Sequence, residues 1–259
     1  MAPMTPLYGG IREDQTVMTA SGPVRAGDVR AGDRVISRNG ASSQVLSVER
    51  GVTQGMYAVT TCDGVCVVVS EYQPWSVLVR RTHPAGSKAY VLHNTAEVRD
   101  LLTQPCTVFL PTLTNPARMS ELGKNWMDAV SSRSISVFEA LSGSLDGEHT
   151  RVDISDAKRV REAMWSLGGT AELRKAPSDT NHVILRMHAP HVLSSMPTRG
   201  KTLKPSSSLH PPRRIVSVSE AGEASPVMLE LDAPDSLIAL SGFVLTGWAG
   251  VPDVLPIND

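Results

Sequence analysis

The stretch MYAVTTCDGVCVVVSEYQPW, Met56–Trp75, sets two runs rich in β-branched residues on either side of Asp63-Gly64. Branched side chains favour the pleated strand, and Asp-Gly is a dipeptide that readily adopts the reversed backbone of a hairpin turn. The reading is a hairpin, followed by the step Ser70-Glu71-Tyr72-Gln73 and then Pro74, whose ring favours a fixed, turn-like backbone.

Moving outward, the same texture continues upstream. DQTVMTASG (14–22), GDRVISRNG (32–40) and SQVLSVERG (43–51) each carry a short alternating run closed by a turn signal, with Ser21-Gly22 and Asn39-Gly40 marking reversals. Residues 14–94 are therefore expected to be all β. Downstream, NTAEVRDLL (94–102) offers Asn94 or Thr95 as an N-cap with Val98, Leu101 and Leu102 on one stripe. SDAKRVREAMWSLGG (155–169) is the clearest helix, capped by Ser155 or Asp156, with Ala157, Val160, Ala163, Met164 and Leu167 on one face and Gly168-Gly169 ending it. TAELRKA (170–176) and NHVILRMHA (181–189) read as a hairpin, and the tail segments RRIVSVSEAG, SPVMLELDAPDS and LIALSGFVLTG return to strands.

The order β, then α+β, then β predicts one β-domain interrupted by an insertion, because domain termini commonly lie close together. The expected fold class is mainly β. Residues 1–94 and 215–250 form the split β-domain, 95–191 the α+β insertion, 192–214 a Ser/Pro-rich basic linker, and 251–259 a tail. Composition agrees: 41% hydrophobic and 20% charged residues support a packed core, and a formal net charge of -1 excludes a chain that coats nucleic acid throughout.

Candidate chemistry is sparse. Cys62, Cys66 and Cys106 cannot pair completely, and the Cys62/Cys66 spacing has no second ligand pair beside it. His188 and His191 face opposite ways on a strand, so with His182 they read as incidental. Gly9-Gly10 and Gly168-Gly169 lack the lysine of a phosphate loop. No cofactor and no metal is expected, and no segment reads as a signal peptide or a membrane span. In the acid-free linker, Arg199, Lys201, Lys204, Arg213 and Arg214 are the candidates for touching nucleic-acid phosphates, with solvated surface the preferred reading.

The N-terminal run DQTVMTASGPVRAGDVRAGDRVISRNG resembles the opening block of an intein of the Hedgehog/intein (Hint) fold, with Thr16, Val17, Gly22, Gly32, Asp33 and Val35 in the matching places. YAVTTCDGVCVVVSEYQPW resembles the second block, where inteins carry Thr-x-x-His and this chain has Ser70-x-x-Gln73. The tail IVSVSEAGEASPVMLELDAPDSLIALSGFVLTGWAG is similar to the terminal blocks, which close on Thr-His-Asn; here the close is Thr246-Gly247-Trp248, then Ala249. SISVFEALSGSLDG (134–147) resembles the signature helix of one half of a LAGLIDADG homing endonuclease, with Asp146 as its residual acid.

The resemblance implies a Hint-type β-horseshoe with a LAGLIDADG-like half domain inserted, and it implies where chemistry should sit. Splicing needs a Cys or Ser nucleophile at the first position, a histidine acid in block two, a cyclising asparagine and a following nucleophile. Counting back from Thr16 puts the first position at Ile11. Ser70 and Gln73 stand for the block-two pair, and Gly247, Trp248 and Ala249 for the terminal His, Asn and next nucleophile. Every one of these places is substituted. The expectation is a chain that does not splice, acting inside the cell or in a virion as a binding or structural module with an unidentified protein partner. The alternatives are DNA binding through the insertion and a residual dimeric endonuclease using Asp146.

Overall fold

The structure is a computed structural model that describes residues 9–81, 89–114, 149–166, 168–175, 181–188, 213–232, 237–247 and 254–255. The first half supplies β1 (Thr16–Thr19), β2 (Gly22–Arg25), β3 (Arg34–Ile36), β4 (Ser42–Arg50), β5 (Gln54–Thr61), β6 (Cys66–Ser70), β7 (Pro74–Arg81), β8 (Tyr90–Asn94), α1 (Thr95–Leu102) and β9 (Cys106–Leu110). The second supplies β10 (His149–Asp153), α2 (Ile154–Ser166), β11 (Thr170–Lys175), β12 (His182–His188), β13 (Arg213–Ala224), β14 (Val227–Leu231), β15 (Leu237–Ala239), β16 (Leu245–Gly247) and β17 (Val254–Leu255).

The turn signals act where the sequence sets them. β5 and β6 pair antiparallel from Met56–Ser70 to Thr60–Cys66, reversing through Asp63-Gly64 with Gly64 at φ 76°. β1 and β2 reverse before Gly22. Asn39 closes the β3–β4 turn by accepting from the Ala41 amide at 2.9 Å.

Two ladders join the two ends of the chain. β5 pairs with β13 from Thr61–Ile215 to Gln54–Ala224, and β4 pairs with β14 from Arg50–Val227 to Val45–Leu231. One sheet runs β14-β4-β3-β1-β2 and the other β17-β8-β7-β9-β13-β5-β6, so both contain strands from each end of the chain. The N-terminal segment ties the sheets together. Ile11 exchanges two backbone hydrogen bonds with Val227 (3.0 and 2.8 Å), while Arg12 donates to the Val68 carbonyl at 3.0 Å.

A continuous core fills the body with side chains from both ends, among them Val17, Val35, Val59, Val69, Trp75, Val77, Val108, Ile215, Val227, Leu240 and Val244. Each such side chain contributes on the order of 1.5–3 kcal/mol by leaving water. This is the mainly β, split body expected from the sequence.

The boundaries of the insertion differ from the expectation. Asn94 caps α1 in a reciprocal box with Glu97, and α1 buries Val98 and Leu101. β9 then fills the place between β7 and β13 in the seven-stranded sheet. Residues 95–110 thus belong to the β body, because β9 supplies ladder partners that β7 and β13 both need. At the other end β13 starts at Arg213, inside the stretch read as linker, and β17 of the tail pairs with β8.

Between β9 and β13 the described residues form the antiparallel sheet β10-β12-β11 with α2 packed on it. Ala157, Val160 and Met164 form the buried face of α2, and the helix begins at Ile154, one residue ahead of the predicted caps. It ends as its glycines predict. The Gly168 amide donates to Trp165 O at 3.0 Å and the Gly169 amide to Met164 O at 2.9 Å. The signature-like segment 134–147, with Asp146, lies outside the described residues.

Candidate functional site

β6 ends at Ser70, and the chain turns so that the Gln73 amide donates to Ser70 O at 3.2 Å. The turn is held from outside by α1: the Thr95 hydroxyl donates to Gln73 O at 3.3 Å and accepts from Trp75 Nε1 at 3.0 Å. Gln73 is wholly buried. Its Nε2 donates to Thr246 Oγ1 at 2.8 Å and to Gly247 O at 2.6 Å, and the Thr246 hydroxyl donates to Pro74 O at 2.9 Å. Both N–H bonds of the amide are therefore used, and its Oε1 has no hydrogen-bond partner among the described residues. Residues 173 positions apart in the chain meet here because β15 and β16 form a short hairpin, Ile238 opposite Thr246, that delivers the C-terminal strand to the turn.

The N-terminal segment enters from the other side. The Gly10 amide donates to Ser70 Oγ at 2.9 Å, and the Ser70 amide donates to Gly10 O at 2.8 Å. Both glycines are pressed too closely for a side chain. A Cβ on Gly9 would stand 2.6 Å from Tyr72 O and 2.7 Å from Gln73 Cα; one on Gly10 would stand 2.6 Å from Pro226 Cβ and 2.9 Å from Val227 O. Gly10, Ser70, Gln73, Thr246 and Gly247 thus form one dry, hydrogen-bonded cluster. None of their side chains titrates near neutral pH, so the cluster contains donors and acceptors but no general acid or base of its own.

Ile11 is fully buried in the core and bridged to Val227 and Val69, and the residue facing Ser70 is Gly10. The reason is the pleat: a one-residue change of register exchanges the face a side chain meets. At the other end the residues touching Gln73 are Thr246 and Gly247, while Trp248 and Ala249 lie outside the described residues.

Of the phosphate candidates, Arg199, Lys201 and Lys204 also lie outside the described residues, and Arg214 is exposed on β13. Arg213 is not a surface cation. It is 2% exposed and ion-paired with Asp63, itself fully buried, at 3.0 Å. A charge withdrawn from water this far is paired inside the fold and out of reach of a phosphate. Asp63 is the functional-looking residue that sequence reading missed, since an Asp-Gly turn reads as solvent-exposed. Beside it, burial pushes the Cys62 thiol up to about 11, with a smaller contribution from Asp63.

No family model and no curated protein matches the sequence. Among solved structures the chain is similar to the DnaB intein from Synechocystis sp. PCC 6803, at 10% identity and a TM-score of 0.44, covering 93% of this chain and 99% of that one. It is similar also to the Msm DnaB1 intein splicing domain bound with zinc (16% identity, TM-score 0.40, 92% and 98% covered) and to the gp41-1 intein (13% identity, TM-score 0.39, 92% and 98% covered).

Proposed function

We propose that this chain is a Hint-type module, derived from an intein, that no longer splices and serves as a binding or structural element. One observation carries the reading: the N-terminal segment is hydrogen-bonded to Ser70 and the C-terminal strand to Gln73, the two ends of a single turn. On this reading the first position is Gly10, the block-two pair is Ser70 and Gln73, and Gly247 and Trp248 stand for the terminal His and Asn. A glycine offers no thiol or hydroxyl to attack the preceding carbonyl. An amide at Gln73 offers no titratable proton, and the loss of one positioned acid removes about 10²- to 10⁴-fold in rate. Tryptophan at the asparagine place has no side-chain amide to cyclise. What the site retains is cohesion, with the Gln73 amide holding β16 in place of chemistry. The setting that fits is intracellular, or a virion, with a protein partner; no described helix is long and apolar enough to cross a membrane.

The test is expression of the full chain between two affinity tags, with intact mass followed for days from pH 6 to 9, with and without added thiol. A single unchanged mass is expected. Any clipped or tag-ligated product overturns the reading.

A second reading is DNA binding by the insertion. Arg151 and Arg174 both pair in register with Ile184, and Arg186 lies two residues along the same strand, so the three guanidinium-bearing positions share the sheet face opposite Val152, Val183 and Leu185. Asp153 and Glu172 on that face partly offset them. Binding to duplex DNA at low salt that weakens log-linearly as salt rises would favour it; no binding at low salt removes it.

A further inference from the structure

The insertion meets the β body at a buried polar cluster separate from the one around Gln73. Asp63, at the β5–β6 turn, accepts from the Thr61 hydroxyl at 2.5 Å and from Arg213 Nε at 3.3 Å through Oδ1, while Oδ2 lies 3.0 Å from Arg213 Nη2. Arg213 Nη1 in turn donates to Gly242 O at 2.6 Å. Gly242 (φ 61°) sits in the turn between β15 and β16, followed by Phe243 in the same left-handed region at φ 56°, a costly conformation for an aromatic residue. Three residues beyond Phe243 is Thr246, the partner of Gln73.

From the insertion, Arg161 of α2 donates to the Asp63 carbonyl and, at 3.3 Å, to Ala171 O of β11. Its guanidinium lies 4.8 Å from the Trp165 ring, and that of Arg213 lies 5.6 Å from the same ring. Two cations therefore share one indole and one acidic residue, Arg161 through its backbone carbonyl and Arg213 through its carboxylate. Neither can be desolvated cheaply without Asp63. The β15–β16 turn lacks a side-chain cap of its own and takes a hydrogen bond of 2.6 Å from Arg213.

We infer that Asp63, Arg213 and Arg161 form a latch that couples docking of the inserted subdomain to the seating of β16 on Gln73. When α2 is docked, Arg161 fixes the β5–β6 turn, the turn orients the Asp63 carboxylate, the carboxylate orients Arg213, and Arg213 holds the Gly242 turn that presents Thr246 and Gly247. The inserted subdomain is then a control element for the pocket rather than a passenger. The coupling stands apart from what the pocket does, since it concerns the seating of a strand.

The test is native-state hydrogen exchange of the full chain and its Arg161→Met variant. Arg161 is half-buried and on the periphery of the β body, so the variant leaves the core untouched. Loss of protection is expected in α2 and β11 and, in parallel, in β15 and β16, by on the order of 5- to 150-fold, the usual range of coupling between sites. Arg161→Lys, which retains a cation, should recover part of it, and Asp63→Asn should expose β16 at least as strongly as Arg161→Met. The inference is overturned if Arg161→Met frees α2 and β11 while β15 and β16 keep wild-type protection. It is equally overturned if Arg161→Met changes neither. Tagged-chain mass analysis is independent of this outcome: an uncleaved chain with no coupling retains the proposed function and loses the latch.

Discussion

Gly10→Ala tests whether the place facing Ser70 is closed sterically as well as chemically. The added Cβ would stand 2.6 Å from Pro226 Cβ, 2.9 Å from Val227 O and 3.2 Å from Met228 Cγ. Relaxed carbon contacts need about 3.5–4.0 Å, so the two strands must separate by roughly 1 Å. The backbone has little room to yield. Residue 10 is bonded on both its amide and its carbonyl to Ser70, and residue 11 is bonded twice to Val227. Overpacking of this kind costs about 1–3 kcal/mol, against which a glycine replacement regains about 0.4–1 kcal/mol through the unfolded chain. The net expectation is destabilisation by about 1–2 kcal/mol. For a chain of this size that lowers Tm by roughly 2–8 °C. Urea unfolding should show a lower midpoint at unchanged slope. Pro226→Gly removes the nearest atom, so the double variant should recover more than additivity allows, by at least about 0.5 kcal/mol. Gly10→Cys meets the same atoms, so it should fail to restore cleavage even when combined with Gln73→His. A Gly10→Ala protein as stable as wild type at the same slope refutes the reasoning, and the place would then have to be considered open to a nucleophile.

Four further outcomes follow from the structure. Gln73→Met removes both donors to β16 and strands Gly247 O, so a loss of about 2–4 kcal/mol is expected in chemical denaturation, with Gln73→His intermediate. Asn94→Ala breaks the α1 capping box and should cost about 1 kcal/mol, measured the same way. Cys62, held protonated by burial with its thiol near 11, should resist alkylation at pH 8 while exposed Cys66 reacts; equal rates would contradict its placement. Because the folded state keeps that proton above the unfolded pKa, Cys62 also contributes stability that is present below pH 9 and lost as pH rises towards about 11, a decline that Cys62→Ala should abolish.

Local signals were written plainly. Asp63-Gly64, Ser21-Gly22 and Asn39-Gly40 each specify a reversal through the backbone freedom or hydrogen bonding of their own residues. Asn94 and Glu97 specify a helix start, and Gly168-Gly169 a helix stop, by the same local chemistry. The alternation of apolar residues also set the mainly β class and the return to strands after the insertion. These are properties of a few neighbouring residues, so a linear reading captures them.

What the chain could not state locally is which distant strands share a ladder. The membership of β9 in the seven-stranded sheet depends on β7 and β13 leaving a gap between them, and the register that puts Gly10 instead of Ile11 opposite Ser70 depends on Val227. Arg213 looked like a basic surface residue and Asp63 like a turn residue because each was read without the other, 150 positions away. Burial and partnership are relations between segments, fixed only when the ends of the chain close on one core: neighbouring residues specify the elements, while the cluster around Gln73 and the buried Asp63–Arg213 pair exist only in the packed fold.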